Sequence, residues 1–566
     1  MNLKLKKNYN IGIILNSLRV SKFEYETIQE LILYKKNFNL VLLLEKNGYE
    51  NFSSKLLNKI QYNSFWRLFE FALFKLLYFL EFFFLSLKLS YLNELKKNYL
   101  ISKKDFNKVI EIEPIFSGNK TFVQYRSEDL KILGKEKLDI ILRVGGSGIY
   151  KGKILKTSRL GIMSFHHGDN TWNRGLPPAF WEVVLKKPST GFIIQILNEK
   201  LDDGLVIFKG EFATKNTYLQ NLYNLYSESN KFFVKTLIKH LEQNKKVLSS
   251  INSKKKNKIK VFRSPNIYFI IKYLIFLLKF IFFQIKKNYI QQQTQRYQVG
   301  YLENDWTNLN FVSLKKIRNL SGSYFADPFV INKKNKNYIF VEEFIKSINK
   351  GVISTIEIDK EGNQRLYRNI IKESFHLSFP YIFEFKNSLY MVPESNEAKC
   401  IRLYKCIKFP NKWQYCYNLM NNINCVDSII FKKSNYYWLI NTSSNKNDFS
   451  SQLNIFYSKS PISKKWKAHK KNPVIFDSTK GRNAGIIIRN NNIYRISQSY
   501  GYNNHGIMQY GQSMSINKII KINNNDYKEI VIKKINPIFK KDIVGTHHLN
   551  SIKNLTVIDY CYYDRY

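Results

Sequence analysis

Apolar and polar positions follow two different rhythms along this chain. Up to about residue 245, short and nearly continuous apolar runs alternate with longer runs of helical period. "IGIILNS", "FNLVLLLEK" and "LDIILRVG" read as buried strands, while "KFEYETIQELILYKK" and the long stretch from Phe65 read as helices. Buried strands separated by helices predict an α/β domain on a parallel sheet. From about residue 297 the rhythm shortens to aromatic-rich strands divided by Asn, Lys and Gly turns.

The second half also repeats itself. "ADPFVINKKNKNYIFVEE", "SFPYIFEFKNSLYMVPES", "CVDSIIFKKSNYYWLINT" and "RNAGIIIRNNNIYRISQS" share a turn-forming start, a short apolar run, a polar turn and an aromatic strand, and "THHLNSIKNLTVIDY" is a shorter fifth copy. Aligning Tyr338, Tyr390, Trp438 and Tyr494 spaces the copies by roughly 50 residues, and such a period, with several strands per unit, predicts an all-β five-bladed propeller. The expected organisation is therefore residues 1–245 as the α/β domain, 246–296 as a basic linker with an apolar helix, and 297–566 as the propeller.

Two apolar stretches, from Phe65 and from Ile267, approach membrane-spanning length. Glu70, Lys75 and Glu81 interrupt the first, and Lys272 and Lys279 the second. A charge at mid-bilayer costs roughly 3 kcal/mol on insertion scales, so the expectation is a helix at the membrane interface or one packed on the protein, and peripheral membrane contact stays open. The start "MNLKLKKNYNIGIILNSL" reads as a first strand and not as a secretion signal. Five cysteines, at 400, 406, 416, 425 and 561, form no CxxC pair and no even framework, which favours a reducing compartment. The chain is thus expected in the cytoplasm, at the inner membrane surface.

Net charge changes this picture little. The formal charge of +47 suggests nucleic acid at first sight, but the lysines are spread along the chain, whereas a nucleic-acid binder clusters them. No nucleic-acid partner is expected. An anionic membrane or glycolipid fits the charge equally well.

Candidate chemistry concentrates in "GIMSFHHGDNTWNRGLPPAFWEVVLKKPSTGFIIQILNEKLDDG", from Gly161 to Gly204, where two of the eight histidines stand side by side. No metal site is expected from the pair, because adjacent strand residues point to opposite faces. The order of "SFHH", "NRGLPP", "AFWE", "STGF" and "LDDG" resembles the catalytic domain of folate-dependent formyltransferases. The resemblance implies a Rossmann-like fold, 10-formyltetrahydrofolate as cofactor, and transfer of formyl to the amine of an amino sugar. It places His166 and Asp202 at the family's catalytic histidine and aspartate, His166 shuttling the proton and Asp202 orienting the imidazole. Ser164 stands where the family has asparagine, and losing such an oxyanion donor typically costs about 10²–10³ in rate. His167, Asp169, Arg174 and Gly204 are the accompanying substrate-binding candidates.

Taken whole, "HHGDN", "RGLPPAFWE", "FADPFV", "HLSFP", "MVPES" and "RNAG" resemble a bacterial formyltransferase-like protein fused to a propeller. That propeller is similar to the N-terminal domain of plant glucosamine inositolphosphorylceramide transferases and, more distantly, to five-bladed glycoside hydrolases. The resemblance implies glycan or glycolipid biosynthesis, with an amino sugar or glycolipid as substrate. Within the repeats, Asp327 and Asp427 hold equivalent positions, as do Glu342 and Glu394, and Gln498 falls with the latter pair; Arg482, His376 and His548 lie near repeat starts. These residues are candidates for glycan binding around a central axis, or for acid–base work on a glycosidic bond. Three readings follow: a formyltransferase, a glycosyl-processing enzyme working through the propeller, and a glycan-binding protein without catalysis.

Overall fold

The computed structural model describes residues 7–46, 64–117, 121–146, 148–243, 261–444 and 448–565. It divides into two compact units, Met1–Lys279 and Phe280–Tyr566. The division falls inside the apolar helix that the sequence assigns to a linker; the linker's first residues, 246–260, lie outside the described residues. The chain is mostly β, with a parallel sheet in its N-terminal half.

Unit 1 is built on a seven-stranded sheet. Its strands are β1 (Tyr9–Leu15), β2 (Phe38–Glu45), β3 (Lys108–Ile112), β4 (Ile140–Arg143), β5 (Ile162–His166), β6 (Ser189–Ile196) and β7 (Leu205–Ala213). The spatial order is β7-β6-β5-β4-β1-β2-β3. The first five strands run parallel, and β1, "YNIGIIL", is buried almost throughout, as a strand covered on both faces must be. The expectation of a parallel sheet needs one correction: β6 and β7 are antiparallel. The short loop between them makes a hairpin and is too brief for the crossover that a parallel pair requires.

Among the described residues, the longer helices of this part are α1 (Lys22–Ile32), α2 (Phe65–Ser86), α3 (Tyr218–Ser229), α4 (Phe233–Gln243) and α5 (Ile267–Ile285), the last of which begins in unit 1, with shorter helices and helical turns between. Ser21 and Glu24 close a capping box on α1, and Ser64 and Thr217 cap α2 and α3. The two stretches read as membrane candidates are α2 and α5. Each buries a narrow face, with Leu77, Glu81 and Phe82 on α2 and Ile270, Tyr273 and Leu277 on α5, and leaves the remaining residues half-buried or exposed. By length and composition alone, Ile267–Ile290 could cross a bilayer.

The described residues of unit 2 form five antiparallel sheets. Four begin with the hairpins Ser323–Lys333/Lys336–Ile345, Ser378–Phe385/Ser388–Glu394, Cys425–Lys433/Tyr436–Ser443 and Arg482–Arg489/Asn492–Tyr502, each continued outward by further strands. The fifth joins Leu549–Ile552 and Leu555–Arg565 to Gln293–Leu302, so the beginning and the end of the unit share one sheet. The leading strands touch in succession, and that of the fifth sheet touches that of the first, which closes a ring. The approach is tight: a Cβ on Gly485, at φ +121°, would stand 2.1 Å from the Leu549 carbonyl oxygen, so only glycine fits there.

Candidate functional site

In unit 1 the carboxyl ends of β4 and β5 open on a cavity of about 980 Å³, lined by Ser164, His166, His167 and Asp202 together with the Arg143–Gly146 turn. Clefts at this edge of a parallel sheet, near the reversal of strand order (here between β1 and β4), are the usual ligand sites of such folds. His166 Nδ1 lies 3.2 Å from Asp202 Oδ1, and its Nε2 lies 3.3 Å from the Asn173 carbonyl oxygen. Both partners are acceptors, so the ring serves both only when it carries two protons. A Cβ on Gly168 would stand 2.8 Å from His166 Nε2; glycine is what leaves the ring its place. The sequence missed Glu182, which is buried, lies near Asn173 (3.4 Å) and is pushed up to about 7 by desolvation.

The other predicted residues divide. The Ser164 hydroxyl donates to the Phe165 carbonyl (3.1 Å), so its proton is turned to the backbone. Asp169 accepts from the Thr171 N–H (2.9 Å) and hydroxyl (2.7 Å) and from Lys209 (2.9 Å). Arg174 pairs with Asp203 (3.2 Å), and the Gly204 N–H donates to Gln195 (3.1 Å). These last three hold loops together and do not line the cavity. His167 stacks on Phe165 (4.9 Å) and meets the edge of Tyr226 (4.6 Å). Desolvation, then the neighbouring His166, push it down to about 3. Its ring proton resonances are therefore expected to stay flat from pH 5 to 8 in an NMR titration, whereas a normal histidine titrates with a midpoint near 6.5.

Unit 2 carries a second cluster at the inner ends of its leading strands. A β-bulge recurs there, between Ala326 and Phe329, Ser378 and Tyr381, Val426 and Ile429, and Asn483 and Ile486. Bulges re-aim side chains, and Asp327 and Asp427 sit in two of them in the left-handed region, at φ 51° and 54°. The equivalence read from the repeats is thus a shared backbone geometry. Asp427 pairs with Arg482 (Nε to Oδ2, 2.6 Å), whose guanidinium lies 4.7 Å from the centre of the Tyr510 ring. Glu342 lies 3.4 Å from His376 Nε2, and Glu394 accepts from the Ser378 hydroxyl (2.6 Å).

Two further members were missed from sequence, His547 and Asp559. His547 Nδ1 lies 2.8 Å from Asp559 and its Nε2 lies 3.5 Å from Asp327. The sequence pointed instead to its neighbour His548, which packs edge-on against Phe329 and Phe379 and is driven down to about 3 by desolvation. Burial is the main influence on the acids. It lifts Asp327 to about 7, against the pull of His547, and lifts Asp427 against the pull of Arg482. Glu342 is raised by burial and by repulsion from Asp327 and Glu394. Desolvation pushes Asp559 up, but the pull and hydrogen bond of His547, with His548 and the Asp327 N–H, together lower it. Asp327, His547 and Asp559 each offer one ligand atom within 4.8 Å of the others and could receive a cation.

Comparison with known proteins bears on unit 2. Residues 310–554 match the family model described as glucosamine inositolphosphorylceramide transferase 1, N-terminal. The protein of that name from Arabidopsis thaliana is 32% identical over 222 residues, which cover 38% of this chain and 28% of the relative; the chain thus spans under a third of the curated relatives it matches. Among solved structures, a thermostable family-43 glycoside hydrolase (14% identity, TM-score 0.32) covers 43% of this chain and 89% of its own. A sugar N-formyltransferase from Shewanella sp FDAARGOS_354 (12% identity, TM-score 0.26) covers 45% and 76%. The expectation of a formyltransferase that moves formyl from 10-formyltetrahydrofolate to an amino-sugar amine is corrected by the family and relatives matched, which are inositolphosphorylceramide transferases by name. The folate donor was expected as the reactant in that step. The chain is similar, across most of unit 2, to the N-terminal part of a glycolipid-directed transferase.

Proposed function

We propose that this chain recognises an amino-sugar-bearing glycolipid of the inositolphosphoryl type, with the sugar held at the inner carboxylate cluster of a five-bladed propeller formed by unit 2. The observation that carries this reading is the convergence of Asp327, Glu342, Glu394, Asp427 and Asp559 on each other's electrostatic field, with the Arg482 guanidinium and the imidazoles of His547 and His376 in contact with them. Acids outnumber cations, and burial raises both Asp327, to about 7, and Glu342, so their protonated forms are favoured. The ammonium of an amino sugar would supply the missing positive charge, and the names of the relatives supply the sugar and the lipid class.

The sign of the pH effect follows. An ammonium favours the ionised carboxyls, so binding expels protons from groups whose pKa is raised. Affinity rises with pH toward about 7 and then levels, by up to tenfold per unit for each proton displaced. Calorimetry with a glucosaminyl-inositol headgroup at pH 5.5, 6.5 and 7.5 reads this directly. Asp327→Asn should weaken binding about tenfold and flatten the pH dependence, and the neutral N-acetylated headgroup should bind weakly at every pH. Equal binding of both headgroups, independent of pH, would refute the reading.

One observation favours a second reading, in which the cluster also processes the glycosidic bond. Asp327 is raised to about 7 while Asp559 is held low, and carboxyls driven apart in this way can divide acid and base roles. Turnover of the lipid-linked sugar, lost in Asp327→Asn, would establish it. In unit 1 we assign His166 and Asp202 to proton transfer on a ligand of the cavity.

A further inference from the structure

The outer faces of α2 and α5 are a large apolar surface that neither site uses. Within unit 1, which holds α5 up to Lys279, the two helices lie side by side. The Tyr273 hydroxyl donates to Glu81 (2.8 Å), the Ile267 N–H donates to Glu70 (3.0 Å), and Arg67 donates to the Ser264 carbonyl (2.6 Å). These bonds fix the inward faces. Outward, α2 shows Trp66 (71% exposed), Phe79, Phe83 and Phe84. From α5 come Tyr268 (62% exposed), Ile271, Ile275 and Leu278. On each helix the exposed apolar side chains fill an arc of about 140°, at 100° per residue. Soluble chains rarely leave such a contiguous surface to water.

The surroundings select the occupant. Lys75 stands just off the margin of the α2 arc, and Lys272 and Lys279 just off that of α5, and all three are exposed. Their apolar stems can lie along the helices while their ammonium groups reach a headgroup layer. Lys96 stands 3.4 Å from the Phe82 ring centre, at the far end of α2. Trp66 and Tyr268 begin the two arcs, and amphipathic rings favour a membrane–water boundary. A second copy, also bearing +47, would repel this basic margin, whereas an anionic leaflet attracts it.

We infer that α2 and α5 together dock on an anionic lipid bilayer, lying in the plane of one leaflet with both apolar arcs in the acyl boundary. The inference is independent of which sugar unit 2 takes. Flotation of the full chain with vesicles of phosphatidylcholine and phosphatidylglycerol, mixed two to one, tests it. The chain should float with these vesicles, bind more weakly to pure phosphatidylcholine, and lose about 100-fold in partition in the F83E/I275E variant. These side chains are exposed, so the unfolding midpoint should hold. The milder K75E/K279E variant should weaken binding to anionic vesicles alone. Brominated acyl chains should quench wild-type tryptophan emission more than that of W66F. Failure to float with anionic vesicles would overturn the inference. So would a dimer that F83E/I275E converts to monomer with flotation unchanged, because the face would then belong to a second copy.

Discussion

Replacing Arg482 by methionine should destabilise unit 2 by about 3–5 kcal/mol at neutral pH, the range found when one partner of a buried ion pair is removed. The pair is well shielded: the side chains of Arg482 and Asp427 are 16% and 3% exposed, and they meet at 2.6 Å. Methionine keeps much of the apolar stem but leaves Asp427 facing Glu394 without its counter-charge. The loss should shrink at pH 5. Burial already raises Asp427, removal of the guanidinium raises it further, and the protonated acid needs no partner. Denaturant unfolding at pH 5 and 7.5, read by tryptophan fluorescence, gives both numbers. The double variant R482M/D427N should recover a large part of the loss, because the residues couple directly. A loss at pH 7.5 no larger than about 0.5 kcal/mol, the scatter of ordinary surface substitutions, would mean that the two charges do not depend on each other. So would a D427N substitution that rescues nothing, and in either case the cluster is not assembled as described.

Much of this arrangement was legible because the repeats carry it. Asp327 and Asp427 were paired by alignment alone, and the register shows why: each follows the last residue before the same bulge, opposite strands that place Glu342 and Thr442 alike. The fourth copy slipped by one. Aligning on Tyr494 put Gln498 with Glu342 and Glu394, whereas Ser497 is the residue opposite the bulge at Asn483. An aromatic side chain marks a strand but not which face it occupies, and a one-residue slip exchanges the faces. His547 and Asp559 escaped because their sheet joins the first strand of the unit to its last, and a period read along the chain cannot show such a closure. His548 was preferred to His547 for the same reason: two adjacent histidines look equal until the strand's facing is known. In unit 1, the meeting of His166 and Asp202 was legible, and the reaction attached to it was not. The same dyad serves many chemistries, and only the whole site separates them.

Glu81→Gln should remove a pH-dependent weakness of unit 1. Glu81 is buried on α2 and accepts from the Tyr273 hydroxyl and from the Leu219 N–H (2.9 Å) at the start of α3. Desolvation outweighs these bonds and lifts it to about 7. The native state then binds a proton that the unfolded state has already lost above its ordinary pKa near 4.5. Stability must therefore fall as pH rises between these values, by up to about 1.4 kcal/mol per unit and by about 3 kcal/mol across the window. Glu182, lifted to about 7 by its own burial, adds a slope of the same sign. Glutamine keeps the shape and an oxygen for the Leu219 N–H but cannot ionise. E81Q should thus lose one proton's share of the slope and exceed wild type most clearly at pH 8, with E182Q removing the other share. Hydrogen exchange in the first turn of α3, followed from pH 5 to 8 and corrected for intrinsic rates, localises the effect. An unchanged slope in E81Q would mean that Glu81 is ionised in the native state, and the helix pair α2–α5 would then be holding a buried charge that its surroundings do not neutralise.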